Sequence, residues 1–180
     1  MLHRTREQLD ESLDEIRRSP KLAGTVELIA RRPAVGEREI VEHARITAEH
    51  GLVGDSWHTR KNRKTGTPNP DQQLTLMNAR AIAAITPERT EWPKAGDQLY
   101  VDLDLGGDNV PPGTRLAIGT AIVVVTAEPH LGCAKFTKQL GADATKWTNS
   151  PFGRALNLRG INARVVVDGE VRTGDAIRKL

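Results

Sequence analysis

The sequence predicts a mostly β, α+β fold: a β-barrel with short peripheral helices and one N-terminal helix. Three observations lead there. Short runs rich in Val, Ile and Leu, separated by Gly, Pro and Asp, recur from residue 22 to the end of the chain. Aromatic residues make up only 3% of the 180, so burial must come mainly from Val, Ile, Leu and Ala. The longest helical period lies within the first twenty residues, and the only other expected helices are short.

Taken in order, residues 5–18 read as an amphipathic helix, with Leu9, Leu13 and Ile16 on one stripe, Thr5 and Gln8 at capping-box spacing and Pro20 as the stop. Residues 1–20 are therefore a helical extension and 21–180 the main domain, a length that suits one core. Strands are expected over 24–30, 44–47, 73–77, 98–103, 115–118, 121–126, 163–167 and 176–179, eight in all and enough to close a barrel. Helices are expected over 78–85 and 134–140, the second stopped by Gly141. Gly54-Asp55, Gly96-Asp97 and Gly174-Asp175 read as tight turns, and 59–71, without an apolar residue, as an exposed loop.

Several function classes are excluded. No apolar run approaches the roughly 20 residues of a membrane span, and the acidic first 20 residues fit neither a secretory nor a transit peptide. A single cysteine forms no internal disulfide, so a reducing cytoplasm is the expected compartment. The net charge of +3 does not demand a nucleic-acid partner, and the basic stretch has almost no aromatics for base stacking. Phosphate-loop, dinucleotide and Gly-x-Ser-x-Gly patterns are absent, and the histidines lack a compact metal-ligand spacing.

What remains centres on Cys133, just after a predicted strand and at a predicted helix start. Helix amides and the neighbours Lys135 and His130 favour the thiolate, the form that attacks sulfur or binds metal. The alternative is an inert core cysteine. His58, Arg60, Lys61, Arg63 and Lys64 form a basic loop able to grip a phosphate, or else an ordinary solvated charge run. Asp55 either orients a basic side chain or forms the turn after Gly54, and His130 is either a general acid or an oriented structural histidine. Trp57, Trp92 and Trp147 are expected to pack, with Trp147 close to the cysteine helix.

Four segments in this order around one cysteine resemble the MOSC family, the molybdenum-cofactor sulfurase C-terminal domain. They are Gly51-Leu52-Val53-Gly54-Asp55-Ser56-Trp57-His58, with Trp57 as an inserted residue; Gln72-Gln73-Leu74-Thr75-Leu76; Gly113 to Gly119; and Arg159-Gly160-Ile161 through to Gly174-Asp175. Gly96-Asp97-Gln98-Leu99 stands where the family has Gly-Glu-Asn-Leu, and Gly132 where many relatives have proline.

The resemblance implies a MOSC-type barrel with Cys133 as sulfur carrier or metal ligand, and with His58, Arg60, Lys61, Arg63, Lys64, Lys135 and Arg159 near a cofactor phosphate. It implies the molybdenum cofactor (molybdopterin) and, with a separate electron-donor reductase, reduction of N-hydroxylated small molecules. Alternatives are a metal-free cysteine-persulfide carrier served by a separate desulfurase, and a non-catalytic binding module. The chain has no segment for a pyridoxal-phosphate domain, so that cofactor is not expected.

Overall fold

A computed structural model describes residues 3–62 and 65–180. The helix expected over 5–18 is two: α1 (Arg6–Asp10) and α2 (Leu13–Arg17). The capping box at Thr5 and Gln8 is present. The break follows from Ser12, whose hydroxyl donates back to the Gln8 carbonyl while the residue starts the second helix. Five-residue helices do not stand alone in water. These are held by packing, with Leu9 fully buried against Phe136, Leu140 and Trp147, and by Asp10, which accepts from the Trp147 indole at 3.0 Å. Burying Leu9 alone is worth ~1.5–3 kcal/mol.

Eleven strands follow among the described residues: β1 (Ala23–Arg31), β2 (Glu39–Val41), β3 (His43–Thr47), β4 (Gly51–Leu52), β5 (Leu74–Asn78), β6 (Leu99–Asp102), β7 (Arg115–Ile118), β8 (Ala121–Val125), β9 (Ile161–Val167), β10 (Gly169–Arg172) and β11 (Ala176–Lys179). Seven close the barrel in the order β11-β7-β8-β9-β5-β6-β1, with β1 returning to β11. Only β5 and β6 are parallel; α3 (Ala79–Ile85) lies in the connection between them. The nine residues of β1 serve three neighbours in turn: β11 at Ala23–Thr25, β6 across a register shift between Val26 and Leu28, and β2 at Ile29–Arg31. Of the eight expected strands, the one at 44–47 lies outside the barrel, in a second sheet of order β10-β3-β4.

The barrel interior is aliphatic, as the composition requires: Val26, Leu74, Leu76, Leu99, Val101, Leu116, Val123, Val125, Ala163 and Ile177 all point inward. A second core lies on the outer face of β1, β5 and β6. There Leu28, Ala30, Met77 and Tyr100 are covered by α1, α3, α4 (Ala134–Leu140) and α5 (Ala142–Asn149). Strand β5 is buried along its whole length because both faces are covered. A short α6 (Pro151–Ala155) leads into the turn before β9. No helix among the described residues is long and apolar enough to cross a membrane.

Two features aim the site. The 3-10 turn Arg89–Ala95 ends at Gly96, whose left-handed φ of 94° swings the chain into Asp97 and β6. Gly160, at φ 109°, lets the chain enter β9: a side chain there would sit 2.3 Å from the Leu76 carbonyl and 3.1 Å from the His130 ring.

Candidate functional site

Cys133 is exposed and forms the N-cap of α4 in extended geometry. Partial burial pushes its thiol up, but the Phe136 and Lys135 backbone amides and the Arg159 charge outweigh that and leave it below its ordinary value. The loop before it is held from both sides. Asn149, at the end of α5, accepts from the Gly132 amide at 2.8 Å and donates to the Gly132 carbonyl at 2.9 Å. Asn162 of β9 donates to the carbonyls of Glu128 and Pro129.

Behind the thiol lies a buried triad. Asp97 is fully enclosed; Arg159 Nη1 donates to its Oδ2 at 2.5 Å and His130 Nε2 to its Oδ1 at 2.6 Å. Arg159 Nη2 also donates to the Ala95 carbonyl, and its guanidinium stacks 4.7 Å from the Phe136 ring centroid. Arg159 Nε is buried without a partner among the described residues. Burial alone would raise the Asp97 pKa, yet the Arg159 charge first, and His130 hydrogen-bonded on the other oxygen, hold its carboxyl well below the usual range. Burial, then the Arg159 charge, lower the pKa of His130 against the opposing pull of Asp97. His130 is therefore neutral near pH 7, its Nε2–H committed to Asp97 and its Nδ1 available to take a proton.

A second buried pair adjoins the first. Asp55 accepts from Arg32 Nε at 2.8 Å, Arg32 Nη2 at 2.9 Å and the Arg32 amide at 2.9 Å, and it caps the turn Ser56–Thr59 through the Trp57 amide. Both readings of Asp55, turn former and partner of a basic side chain, hold together. Arg32 Nη1 then donates to the Gly96 carbonyl at 2.8 Å, joining this pair to the triad. Arg38 donates to the Pro93 and Glu37 carbonyls. Its pKa and that of Arg60 are lowered, by desolvation first and then by repulsion from Arg32; the Arg38 charge also lowers that of Arg60. Among the described residues, neither makes an ion pair with a carboxylate.

Cys133, His130 and Arg159 are thus brought together. Arg60 is linked to this group only by charge, through repulsion from Arg32 and attraction to Asp55. Lys61 lines a shallow cleft of about 140 Å³ with Arg60, Trp57, Asn62, Asn69 and Gln72; Gln72 in turn donates to Glu128 of the cysteine loop. His58 Nδ1 lies 3.0 Å from the Asp55 carbonyl oxygen, and its ring meets His50 edge-on. Lys135 contributes its backbone amide to the thiol, while its side chain is exposed. Arg63 and Lys64 lie outside the described residues. Sequence reasoning missed Arg32, Arg38, Asp97 and Asn149 as site residues. Trp147 is fully buried and packs rather than lining a pocket. A cavity of about 250 Å³ lies elsewhere, between α2, α6 and residues 104–109, and touches none of these groups.

The electrostatics carry a pH prediction. His130, Asp55 and Asp97 all have depressed pKa values in the fold. For each, the stabilisation is complete above the ordinary value, 6.5 for His130 and 3.8 for the carboxylates, and is lost as pH falls below it. A melting temperature measured against pH should fall gently below about 6.5 and steeply below about 4. A flat profile down to pH 3 would contradict the triad.

The MOSC domain family model matches residues 55–178, two thirds of the chain. No match is found among curated proteins. Among solved structures, the YuaD protein from Bacillus subtilis superposes with a TM-score of 0.63 at 16% identity, covering 87% of this chain and 94% of that one. YiiM from Escherichia coli gives 0.56 at 22% identity, covering 87% and 69%. YiiM from Geobacillus stearothermophilus gives 0.53 at 14%, covering 89% and 73%. At these identities the likeness speaks for the fold, a seven-stranded mixed barrel with short helices. The family match, and the placement of its Gly-Asp, Gly-Asp-Gln-Leu and Arg-Gly segments around one exposed cysteine, give the conclusion: the chain belongs to the MOSC domain family.

Proposed function

We propose that this protein binds the pterin-phosphate molybdenum cofactor and, supplied with electrons by a separate reductase, reduces N-hydroxylated small molecules. The observation that carries the reading is an exposed thiol, biased toward thiolate, beside a ring of guanidinium groups around residues 95–97. The residues fit such a group. A thiolate is a soft donor suited to the metal, and a side chain built on Gly96 would have nothing within 4 Å except the Arg38 guanidinium at 4.0 Å, so backbone there is open to a ligand.

When bound, the cofactor would supply a metal able to exchange electrons with the substrate. The chain's residues would do the rest. Cys133 Sγ would hold the metal, while Arg60, Lys61 and Arg159, with His58, Lys135, Arg63 and Lys64 contributing charge to the surrounding loops, would neutralise the phosphate. His130 Nδ1 would take and return a proton, its ring fixed by Asp97. In the reaction the N–O bond breaks, an N–H bond forms and water leaves. Two electrons and two protons are consumed, and the electrons come from the donor protein because the chain carries one cysteine and no flavin or nicotinamide motif.

A metal-free persulfide carrier is the second reading, favoured by the exposure of Cys133 alone: its thiolate would take the outer sulfur of a donor persulfide and pass it on. Molybdenum and pterin analysis of the native protein and of Cys133→Ala separates the two. Bound metal that is lost in the variant supports the cofactor reading, and metal-free protein bearing a persulfide supports the carrier.

A further inference from the structure

The cavity between α2, α6 and residues 104–109 has walls of opposite charge. On one side stand Arg17 and Lys21, at the end of the helical extension; on the other stand Asp104 and Asp108, on the loop that follows β6. The floor between them includes Ile16 and Leu105, both buried, and Leu156, half-buried. Asn78, the buried polar side chain of the lining, is already satisfied: it donates to Ser19 Oγ and to the Leu103 carbonyl, both at 2.8 Å, and accepts from the Ala81 amide at 3.0 Å. The cationic wall precedes residues 55–178, the stretch shared with the family, so family membership does not account for it.

Opposite charges around so small a gap attract each other, and long side chains ordinarily close on one another across it. Here they do not. Among the described residues Lys21, Asp104 and Asp108 make no ion pair, and Arg17 makes only an exposed one of 3.4 Å with Asp14 of its own helix. The main chain sets the spacing. The Asp104 amide donates to the Pro20 carbonyl at 2.7 Å, and Asn109 Nδ2 donates to the carbonyls of Lys21 at 3.0 Å and Asp104 at 2.8 Å. On its far side the loop is pinned by the Gly107 amide, which donates to the Ala155 carbonyl, and by Asn157, which donates to the Leu105 carbonyl. Asp104 Oδ1 is itself held by the Gly106 amide at 2.9 Å. Neither wall can move in to neutralise the other without breaking these bonds. The gap that remains is about 250 Å³, room for roughly eight waters.

We infer that this cavity is a second ligand site, which binds a small aliphatic zwitterion: an ammonium group at Asp104 and Asp108, a carboxylate at Arg17 and Lys21, and the methylene stem across Ile16 and Leu105. Each end of such a molecule meets an opposite charge and a charge-assisted hydrogen bond. A singly charged molecule of the same length leaves one wall unmatched. Among the described residues no three acidic, histidine or cysteine side chains group as metal ligands, so the two carboxylates suit an ammonium rather than a metal ion. The site touches none of the groups around Cys133, and it stands or falls independently of the cofactor reading.

The test uses the full-length protein and three probes of one stem length: ε-aminocaproate, caproate and hexylammonium. Binding is followed through amide chemical shifts at low salt, since charges at the mouth are exposed and readily screened. The zwitterion should bind with a Kd below about 10 mM, and each singly charged probe should be weaker by roughly fivefold or more. Asp108→Asn should weaken ε-aminocaproate by a similar factor and leave caproate unchanged. Lys21→Gln should weaken it likewise and leave hexylammonium unchanged. Both side chains are exposed, so the variants should melt near the native temperature. That crossed pattern assigns each end of the ligand to its wall, whereas a general loss of structure would weaken all three probes together. Lys138→Gln, exposed on α4, is the control and should bind like the native chain. Equal affinity for the three probes, no shift with ε-aminocaproate at about 10 mM, or native affinity in both Asp108→Asn and Lys21→Gln would overturn the inference.

Discussion

Replacing Asp97 by alanine is expected to cost ~3–5 kcal/mol of folding stability, because it leaves the Arg159 guanidinium buried without a counter-charge. In a chain of this size that is a fall of roughly 10 °C in melting temperature. The removed carboxylate accepts from both Arg159 and His130, so two donors lose their partner at once. Asp97→Asn keeps an acceptor of similar shape without the charge, and should be intermediate. Asp97→Ala should also slow alkylation of Cys133 near neutral pH, since Arg159, one of the groups favouring the thiolate, is no longer held against Phe136. Thermal unfolding followed by circular dichroism checks the first effect. An Asp97→Ala protein within about 0.5 kcal/mol of native, the range of an ordinary surface change, would mean that the triad is not the anchor described.

Asp55→Ala is expected to be comparably damaging, again ~3–5 kcal/mol, for a different local reason. Asp55 is fully buried, takes both ends of the Arg32 fork and the Arg32 amide, and caps the turn that launches the basic loop. Losing the cap alone costs about 1 kcal/mol; the rest comes from stranding Arg32, which is 6% exposed. Asp55→Asn should recover the cap but not the ion pair, so its melting temperature should fall between the native value and that of Asp55→Ala. Arg60 loses its fixed origin in Asp55→Ala. Limited proteolysis of that variant should then cut between residues 56 and 72 sooner than in the native chain, and equal protection would separate Asp55 from the loop.

Much of the barrel was legible because its strands are the longer β-branched runs of the chain. The seven that close it, Ala23–Arg31 through Ala176–Lys179, all coincide with expected segments to within a few residues. Strands β2, β4 and β10 escaped notice: they have two to four residues, and their burial alternates too little to leave a pattern. Helix α5 escaped for a similar reason, since its buried positions are Ala144, Trp147 and Thr148, a face with little apolar contrast. The extension at 5–18 carried a continuous stripe in sequence, yet a serine at the joint splits it, and tertiary packing of Leu9 and Ile16 decided the outcome.

In the site, the residues that could be read were those whose neighbours in sequence share the chemistry: Cys133 with His130, and Arg60 with Lys61. The partners that give these residues their properties are far away in the chain. Asp97 is 62 residues from Arg159, Arg32 is 23 from Asp55 and 64 from Gly96, and Asn149 lies 17 beyond Gly132. Closing the barrel creates these contacts, so no local spacing announces them. Arg32 and Arg38 lie two and eight residues beyond the expected strand at 24–30, and without the turn at Gly96 there was nothing in the sequence for them to converge on.

Under the proposed function, Cys133 would hold a metal whose pterin phosphate sits in the basic ring. The most direct test of this is the molybdenum and pterin content of native protein and Cys133→Ala, both made in a cofactor-producing host and purified without oxygen. Near-stoichiometric metal and pterin in the native protein, with metal lost from the variant, is the predicted result. Native protein free of both, or Cys133→Ala retaining its full metal content, would contradict it.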